Sequence, residues 1–408
     1  MPVAASRDSA VYTARLMRNV VILGIAQFFA AIGQVTVVAL GGLIGAALAP
    51  DPRLATLPVT CAVLGVALAT LPAALAMPRF GRQRVFISGA LLVACGAVAA
   101  AGAVALQSFT GYCIASVILG ANLAFTAQYR FAAAESVGPE LVSRVIAWVM
   151  LGTIVAASFG PRLVVSVRDW AGTEYVASFL LIACTYSLAA VTLLLFRNPS
   201  LVQHPTDEPA RPLRVIARQP AFLMAVSGAA IGYGIMALIM TATPLSMHVT
   251  DGHSVEATTG VIQGHFLAMY APSLFSGWLV ARLGVVRMLV LGALLEAACV
   301  GLAISGRDVM HYAWAMISLG IGWNLLFVAS TTLLTRTYRP AERFRVQACN
   351  DFCMFGVMAM ASLLAGVLIN TTGWETMNLL ALLPLVLIIL AGGWLARQPA
   401  LLEPVTSR

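Results

Sequence analysis

Long apolar stretches broken by short polar turns run the whole length of this 408-residue chain. Runs of about 18–29 apolar residues predict helices near 19–48, 55–77, 85–106, 109–134, 145–166 and 175–196, then near 221–247, 258–280, 288–305, 312–334, 346–369 and 376–396. At 1.5 Å per residue, each can cross a hydrocarbon core of roughly 30 Å. The runs are rich in Ala and Leu, carry Gly throughout and lack a strict period of two, which disfavours an outer-membrane barrel. The pattern predicts an all-α membrane protein of twelve transmembrane helices in two six-helix pseudo-symmetric halves.

The polar turns show a duplication. Arg79-Phe80-Gly81-Arg82-Gln83-Arg84 follows one apolar run and opens the next, and Arg282-Leu283-Gly284-Val285-Val286-Arg287 does the same 203 positions later. Ala30-Ala31-Ile32-Gly33 returns as Ala229-Ala230-Ile231-Gly232, and Gly120-x-Asn122-Leu123-x-Phe125 as Gly322-x-Asn324-Leu325-x-Phe327. Pro139 with Arg144-Val145 returns as Pro340 with Arg345-Val346. Two copies with an even number of spans each form parallel repeats about an axis along the membrane normal. Residues 197–220, with Pro199, Pro209, Pro212, Pro220 and several arginines, cannot bury apolar area and read as a connector. The expected organisation is therefore a half at 1–196, a cytoplasmic linker at 197–220 and a half at 221–408.

Composition agrees with a bilayer protein. Hydrophobic residues make up 60% and charged residues 10% of the chain, with mean hydropathy +0.92, where soluble domains carry roughly 25% charge. The net charge of +8 comes with no lysine at all. Arg53, Arg162, Arg168 and Arg307 fall on one side and Arg130 within a helix, while the other arginines gather at the opposite turns and the termini. That bias reads as the positive-inside pattern, with both termini cytoplasmic in a plasma (inner) membrane, and not as nucleic-acid binding. The seven cysteines lie in predicted spans without zinc-ligand spacing. No nucleotide loop, metal cluster or nucleophile–base pair is visible, so no enzyme, cofactor or metal is expected.

Polar residues inside the spans are few, and each admits two readings. Gln27 and Gln34 share a face of the first span, for helix pairing or for a solute. Asn122, Thr126 and Arg130 form a stripe on the fourth span, with Arg130 serving either as a partner of Glu135 or as an anion contact. His265, Glu296 and Asp351 are ionisable groups within later spans. Glu296 stands farthest from water, where an unpaired carboxylate is costly. Asp351 fits a helix N-terminal carboxylate near Arg345, and His265 fits packing or an interhelical hydrogen bond. Proton handling is the other reading for all three. His248 and His253 are expected to be solvated in an outer loop.

The basic turns, the two six-span halves and the proline-bearing linker together resemble the major facilitator superfamily over nearly the whole chain. That family's signature after span two reads Gly-x-Leu-x-Asp-Arg-x-Gly-Arg-Arg/Lys-Arg. Arg79-Phe80-Gly81-Arg82 keeps its Arg-x-Gly-Arg core, and Gly277-Trp278-Leu279 with Arg282-Leu283-Gly284 keeps its Gly-x-Leu and Arg-x-Gly parts. Pro78 and Ala281 stand where the family has Asp. The resemblance implies a cytoplasmic gate built from Arg79, Gly81, Arg82, Arg282 and Gly284, with Glu135 as the acidic partner of Arg79 or Arg82. It implies a cavity lined by spans one, four, seven and ten, making Gln27, Gln34, Asn122, Arg130, Tyr233 and Asn324 substrate-binding candidates. Asp351, Glu296 and His265 are the proton-coupling candidates, although span nine, which carries Glu296, is expected to face lipid. Gly152 and Gly160-Pro161 look like a degenerate span-five antiporter motif, while the span-four arginine of many drug antiporters is absent near Ser116.

The implied function is secondary active transport of a small organic solute by alternating access, coupled to protons, by a monomer in the lipid bilayer. The direction leans to efflux by antiport. A proton-driven importer is the alternative, with a non-transporting receptor behind it.

Overall fold

The computed structural model describes residues 3–136, 142–197 and 211–398. The loop carrying Pro139 and most of the expected linker lie outside them. Among the described residues the regular structure is helical throughout. Eleven helices are long and apolar enough to cross a membrane, and a twelfth forms if one bent pair is counted as a single span. Their positions follow the twelve apolar runs.

Where a run stays apolar without Pro or paired polar groups the helix is unbroken, as in Arg82–Ala105 and Val309–Thr335. Span four comes instead in three pieces, Phe109–Gly120, Asn122–Thr126 and Tyr129–Glu135. In span eight, Val255–Leu274 and Ser276–Leu283 meet at 61° across a 3-10 turn at Ala271–Leu274. Pro272 removes a backbone donor there. Span seven, Pro220–Pro244, continues as a π-helical turn, Leu245–Thr250.

The chain forms two compact units, Met1–Gly41 with Cys61–Val202, and Gly42–Thr60 with Gln203–Arg408. In the first, Phe86 packs edge-on against Tyr129 at 4.8 Å and lies 5.9 Å from Phe196, within a core that includes Leu23, Val145 and Leu193. Spans two and four cross on two glycines. A Cβ on Gly65 would strike the Val117 carbonyl, and one on Gly120 the Ala62 carbonyl. Replacing Gly120 by Leu is therefore expected to cost about 1–3 kcal/mol through forced separation of the helices. Gly102→Leu, at a glycine with nothing within 4 Å, is expected to be neutral, and thermal unfolding in detergent compares the two. Outside this core, Leu64, Leu68, Leu71 and Leu75 are exposed. Their i, i+4, i+7, i+11 spacing makes one apolar stripe suited to lipid.

In the second unit, segment 42–60 docks on span eleven. Gly366 N donates to Thr56 Oγ1 at 3.2 Å, and Asn370 Nδ2 to Pro52 O at 3.1 Å. Spans eight and ten cross on Gly320, where a Cβ would come within 2.7 Å of the His265 carbonyl. At one end of this unit a polar cluster ties four segments together. Tyr312 donates to Asp251 at 2.6 Å, Arg307 lies 3.4 Å from Asp251 and 3.5 Å from Glu375, and Ser246 Oγ is 2.6 Å from Tyr312 Oη. The loop histidines belong to this cluster and are not simply solvated. His248 Nδ1 is 2.7 Å from His253 O, and His253 Nε2 is 2.7 Å from Arg307 O.

Near the other end, Glu342 is 1% exposed. Its carboxylate accepts from Arg211 Nε and Nη2, each at 2.7 Å, from Arg211 N at 2.8 Å and from Arg339 N at 2.9 Å. The hydrogen bonds from the Arg211 side chain, foremost, with the backbone N–H groups helping, hold Glu342 down at about 2.

Candidate solute-binding site

The two basic turns share one conformation. Gly81 (φ 80°, ψ 151°) and Gly284 (φ 78°, ψ 156°) occupy a backbone region open to glycine alone, which is what keeps Gly at both positions. Gln83 ties the first turn to the end of span six by donating to Leu194 O at 2.9 Å. Arg82 Nη1 lies 3.9 Å from Met77 Sδ, and the Arg282 guanidinium stacks over Trp278 at 4.8 Å. Arg79 is exposed, and the side chain of Glu135 lies outside the described residues.

In the first unit, the structure brings Gln34 and Asn122 together, with Asn122 Nδ2 donating to Gln34 Oε1 at 3.4 Å. Gln27 goes elsewhere. It is 5% exposed and donates to Thr153 Oγ1 on span five at 2.8 Å, where Gly152 lets spans one and five close on each other. The Gln27 amide nitrogen thus bridges spans one and five. The Arg130 guanidinium lies 4.9 Å from the Phe131 ring centre.

In the second unit, Tyr233 is the centre of an aromatic cluster that the sequence pattern did not single out. Trp323 meets it edge-on at 5.0 Å, Phe327 at 5.6 Å and Phe355 at 6.3 Å. Trp323 and Phe327 lie parallel, 5.3 Å apart with 3° between their planes, and Tyr270 stands at 6.4 Å from Trp323. Four spans, seven, eight, ten and eleven, contribute rings. The usable signal was the i, i+4 spacing of Trp323 and Phe327 and of Phe266 and Tyr270.

Asn324, matched in the repeat to Asn122, behaves differently from it. Its amide donates to Met269 O at 2.7 Å and to Ser273 Oγ at 2.6 Å. These are groups at the break in span eight, so Asn324 stabilises the bend. Asn324→Leu is expected to lower thermal stability by about 1–3 kcal/mol, measured in detergent, because the Met269 carbonyl is left unsatisfied. His265 is fully buried with Nδ1 2.8 Å from Met316 O. Asp351 is half-buried and accepts from Asn350 at 3.2 Å. Glu296 is fully buried, on the inward side of a helix whose Leu291, Leu294 and Leu302 are exposed. Glycines at 232 and 322 admit it against spans seven and ten.

A family model for the Major Facilitator Superfamily matches residues 23–271. A riboflavin transporter, RfnT, of Brucella anthropi is 42% identical over 376 residues, which is 91% of this chain and 94% of that protein. The chain belongs to the major facilitator superfamily. Other superfamily relatives include the MFS-type transporter YdeG of Bacillus subtilis, 27% identical over 91% of this chain and 90% of its own length. Among solved structures, a bacterial homologue of the human lysosomal transporter Spinster superposes with a TM-score of 0.69 at 14% identity, covering 96% of this chain and 98% of that one. The nucleoside transporter NupG gives 0.69 at 14% identity, covering 92% and 98%. As a superfamily member the chain is a multi-pass membrane transporter of a small molecule and not an enzyme.

Proposed function

We propose that this transporter carries riboflavin, or a solute with a similarly planar heteroaromatic ring, across the plasma membrane by alternating access. The observation that carries the reading is the 42% identity, over nine-tenths of the chain, to a protein named as a riboflavin transporter. The aromatic cluster supports it. An isoalloxazine is a flat fused ring with polar edges, and rings such as Tyr233 and Trp323 offer π-faces and edges for stacking, worth roughly 1–3 kcal/mol per ring for nucleobases. On the first unit, the Gln34–Asn122 amide pair and Arg130 are proposed as polar contacts for a solute.

Transport is proposed to be proton-coupled, by a monomer with both termini in the cytoplasm. In this proposal Arg79, Arg82, Arg282 and the two turn glycines form the cytoplasmic gate. The purified chain is expected to quench riboflavin fluorescence on binding and, in liposomes, to move riboflavin when a pH gradient is imposed. Gradients of either sign separate export from import. No quenching and no flux would remove riboflavin as the solute.

A further inference from the structure

We propose that Glu296 is the proton-carrying group of the transport cycle, and that it acts on the aromatic cluster through the backbones of spans seven and ten without touching the solute. This rests on the proton-coupled transport proposed above, and it names the group and the route.

Glu296 lies mid-way along the helix Val285–Ile304, fully buried, and neither carboxyl oxygen has a hydrogen-bond partner among the described residues. Two glycines make room for it. A Cβ on Gly322 would come within 2.9 Å of Glu296 Cγ and of its backbone nitrogen, and a Cβ on Gly232 would lie 3.6 Å from Oε1. Gly232 immediately precedes Tyr233, and Gly322 immediately precedes Trp323. Glu296 therefore lies against bare backbone beside the two residues that supply the closest ring pair of the cluster, with Oε1 toward Gly232 and Cγ toward Gly322.

The first half has no acid at the matching place. The residue 203 positions earlier is Val93, itself fully buried in the helix Arg82–Ala105. An aliphatic side chain fills the matching place in the first half. A carboxyl in the second half adds a desolvation cost with no packing return, which is the mark of a functional group in a membrane interior.

The surroundings decide which form is comfortable. The elements packed against this helix carry Tyr233 on span seven, Arg282 on Ser276–Leu283, His311 and Tyr312 on span ten and Glu375 on span twelve. Arg287 and Cys299 share its own helix. Arg282 is stacked on Trp278, Tyr312 bonds Asp251 and Glu375 faces Arg307, while Cys299, one turn on, is fully buried. No salt bridge reaches Glu296 among the described residues. The seam accommodates the neutral acid. When the O–H bond breaks and the proton leaves to water, the carboxylate needs water or donors, which it gains only if spans seven and ten shift off it. Such a shift carries Tyr233 and Trp323 with it. Reprotonation from water on the other side closes the cycle, and the solute is unchanged chemically.

The full chain in liposomes tests this. A pH difference of about one unit is expected to give wild-type vesicles about tenfold riboflavin accumulation per coupled proton. E296Q, whose amide has nearly the same shape and no proton to release, should lose that accumulation while retaining riboflavin counterflow. Driven accumulation by E296Q equal to wild type overturns the proposal. Loss of counterflow as well would place Glu296 in solute binding and also overturn it. If wild type neither binds nor exchanges riboflavin, the solute assignment fails on its own, and infrared difference spectroscopy judges Glu296 independently. A carboxylic-acid carbonyl band that changes when the pH is stepped, and is missing from E296Q, is expected. An identical spectrum in wild type and E296Q overturns the proposal whatever the solute.

Discussion

Tyr233→Ala is expected to weaken the proposed riboflavin binding by about 10- to 100-fold, the equivalent of roughly 1–3 kcal/mol for one stacking ring. Tyr233 stands between the Trp323, Phe327 and Phe355 rings and is only half-buried, so part of its surface is available to a solute. Trp323, at 4% exposure, is the less informative target. Truncating it opens a cavity that costs about 3–5 kcal/mol of stability by itself. Tyr233→Phe keeps the ring and should bind within a few-fold of wild type, which separates stacking from hydrogen bonding by the hydroxyl. Fluorescence titration reads affinity and vesicle flux reads KM against maximal rate. A loss confined to KM is the expected pattern for an interaction made with bound solute. Equal affinity in Tyr233→Ala and wild type would take the cluster out of the site.

The helices were legible in the chain because lipid imposes a length rule that few other environments do. An apolar run of sufficient length flanked by Arg has one stable solution, and the runs at 85–106 and 312–334 became the helices Arg82–Ala105 and Val309–Thr335. The breaks were less legible because they depend on partners remote in sequence. Pro272 announces a lost donor, but the 61° bend is stabilised by the Asn324 amide on another span. The same dependence explains the Asn pair. Asn122 and Asn324 occupy matching places in the repeat, yet one meets Gln34 and the other the bend in span eight, while span two stays one helix, Leu57–Phe80, although it carries Pro72.

Among the site candidates, single polar residues inside spans were visible as exceptions to the apolar rule. Whether such a residue faces a neighbour or a solute is set by packing, as Gln27 shows by turning to Thr153. The aromatic cluster escaped notice for the opposite reason. Trp, Tyr and Phe are ordinary in a membrane helix, so rings from four spans gathered about Tyr233 and Trp323 leave only a weak periodic trace. Glu296 was visible as a costly residue, while the glycines that admit it were hidden among the many that serve helix packing.

Glu342→Ala is expected to lower the stability of the second unit by about 2–3 kcal/mol at neutral pH, somewhat less than a fully buried pair because Arg211 is 22% exposed. The carboxylate gathers four donors, and its removal leaves Arg211 and the Arg339 N–H to find water. The same pair fixes a pH dependence. Held at about 2 in the folded protein and ordinary when unfolded, Glu342 binds fewer protons in the native state across that interval. Its contribution is therefore complete above about 4.5 and falls as pH drops through the folded value near 2. Thermal unfolding in detergent at stepped pH should show the wild-type advantage over Glu342→Gln intact at neutral pH and shrinking in acid. Trypsin offers a local readout, since cleavage after Arg214, three residues beyond Arg211, should accelerate in Glu342→Ala. Arg211→Ala leaves a buried carboxylate with two backbone donors and no charge partner, and should cost at least as much. The double replacement should then cost less than the sum of the two, the coupling expected of groups that satisfy one another.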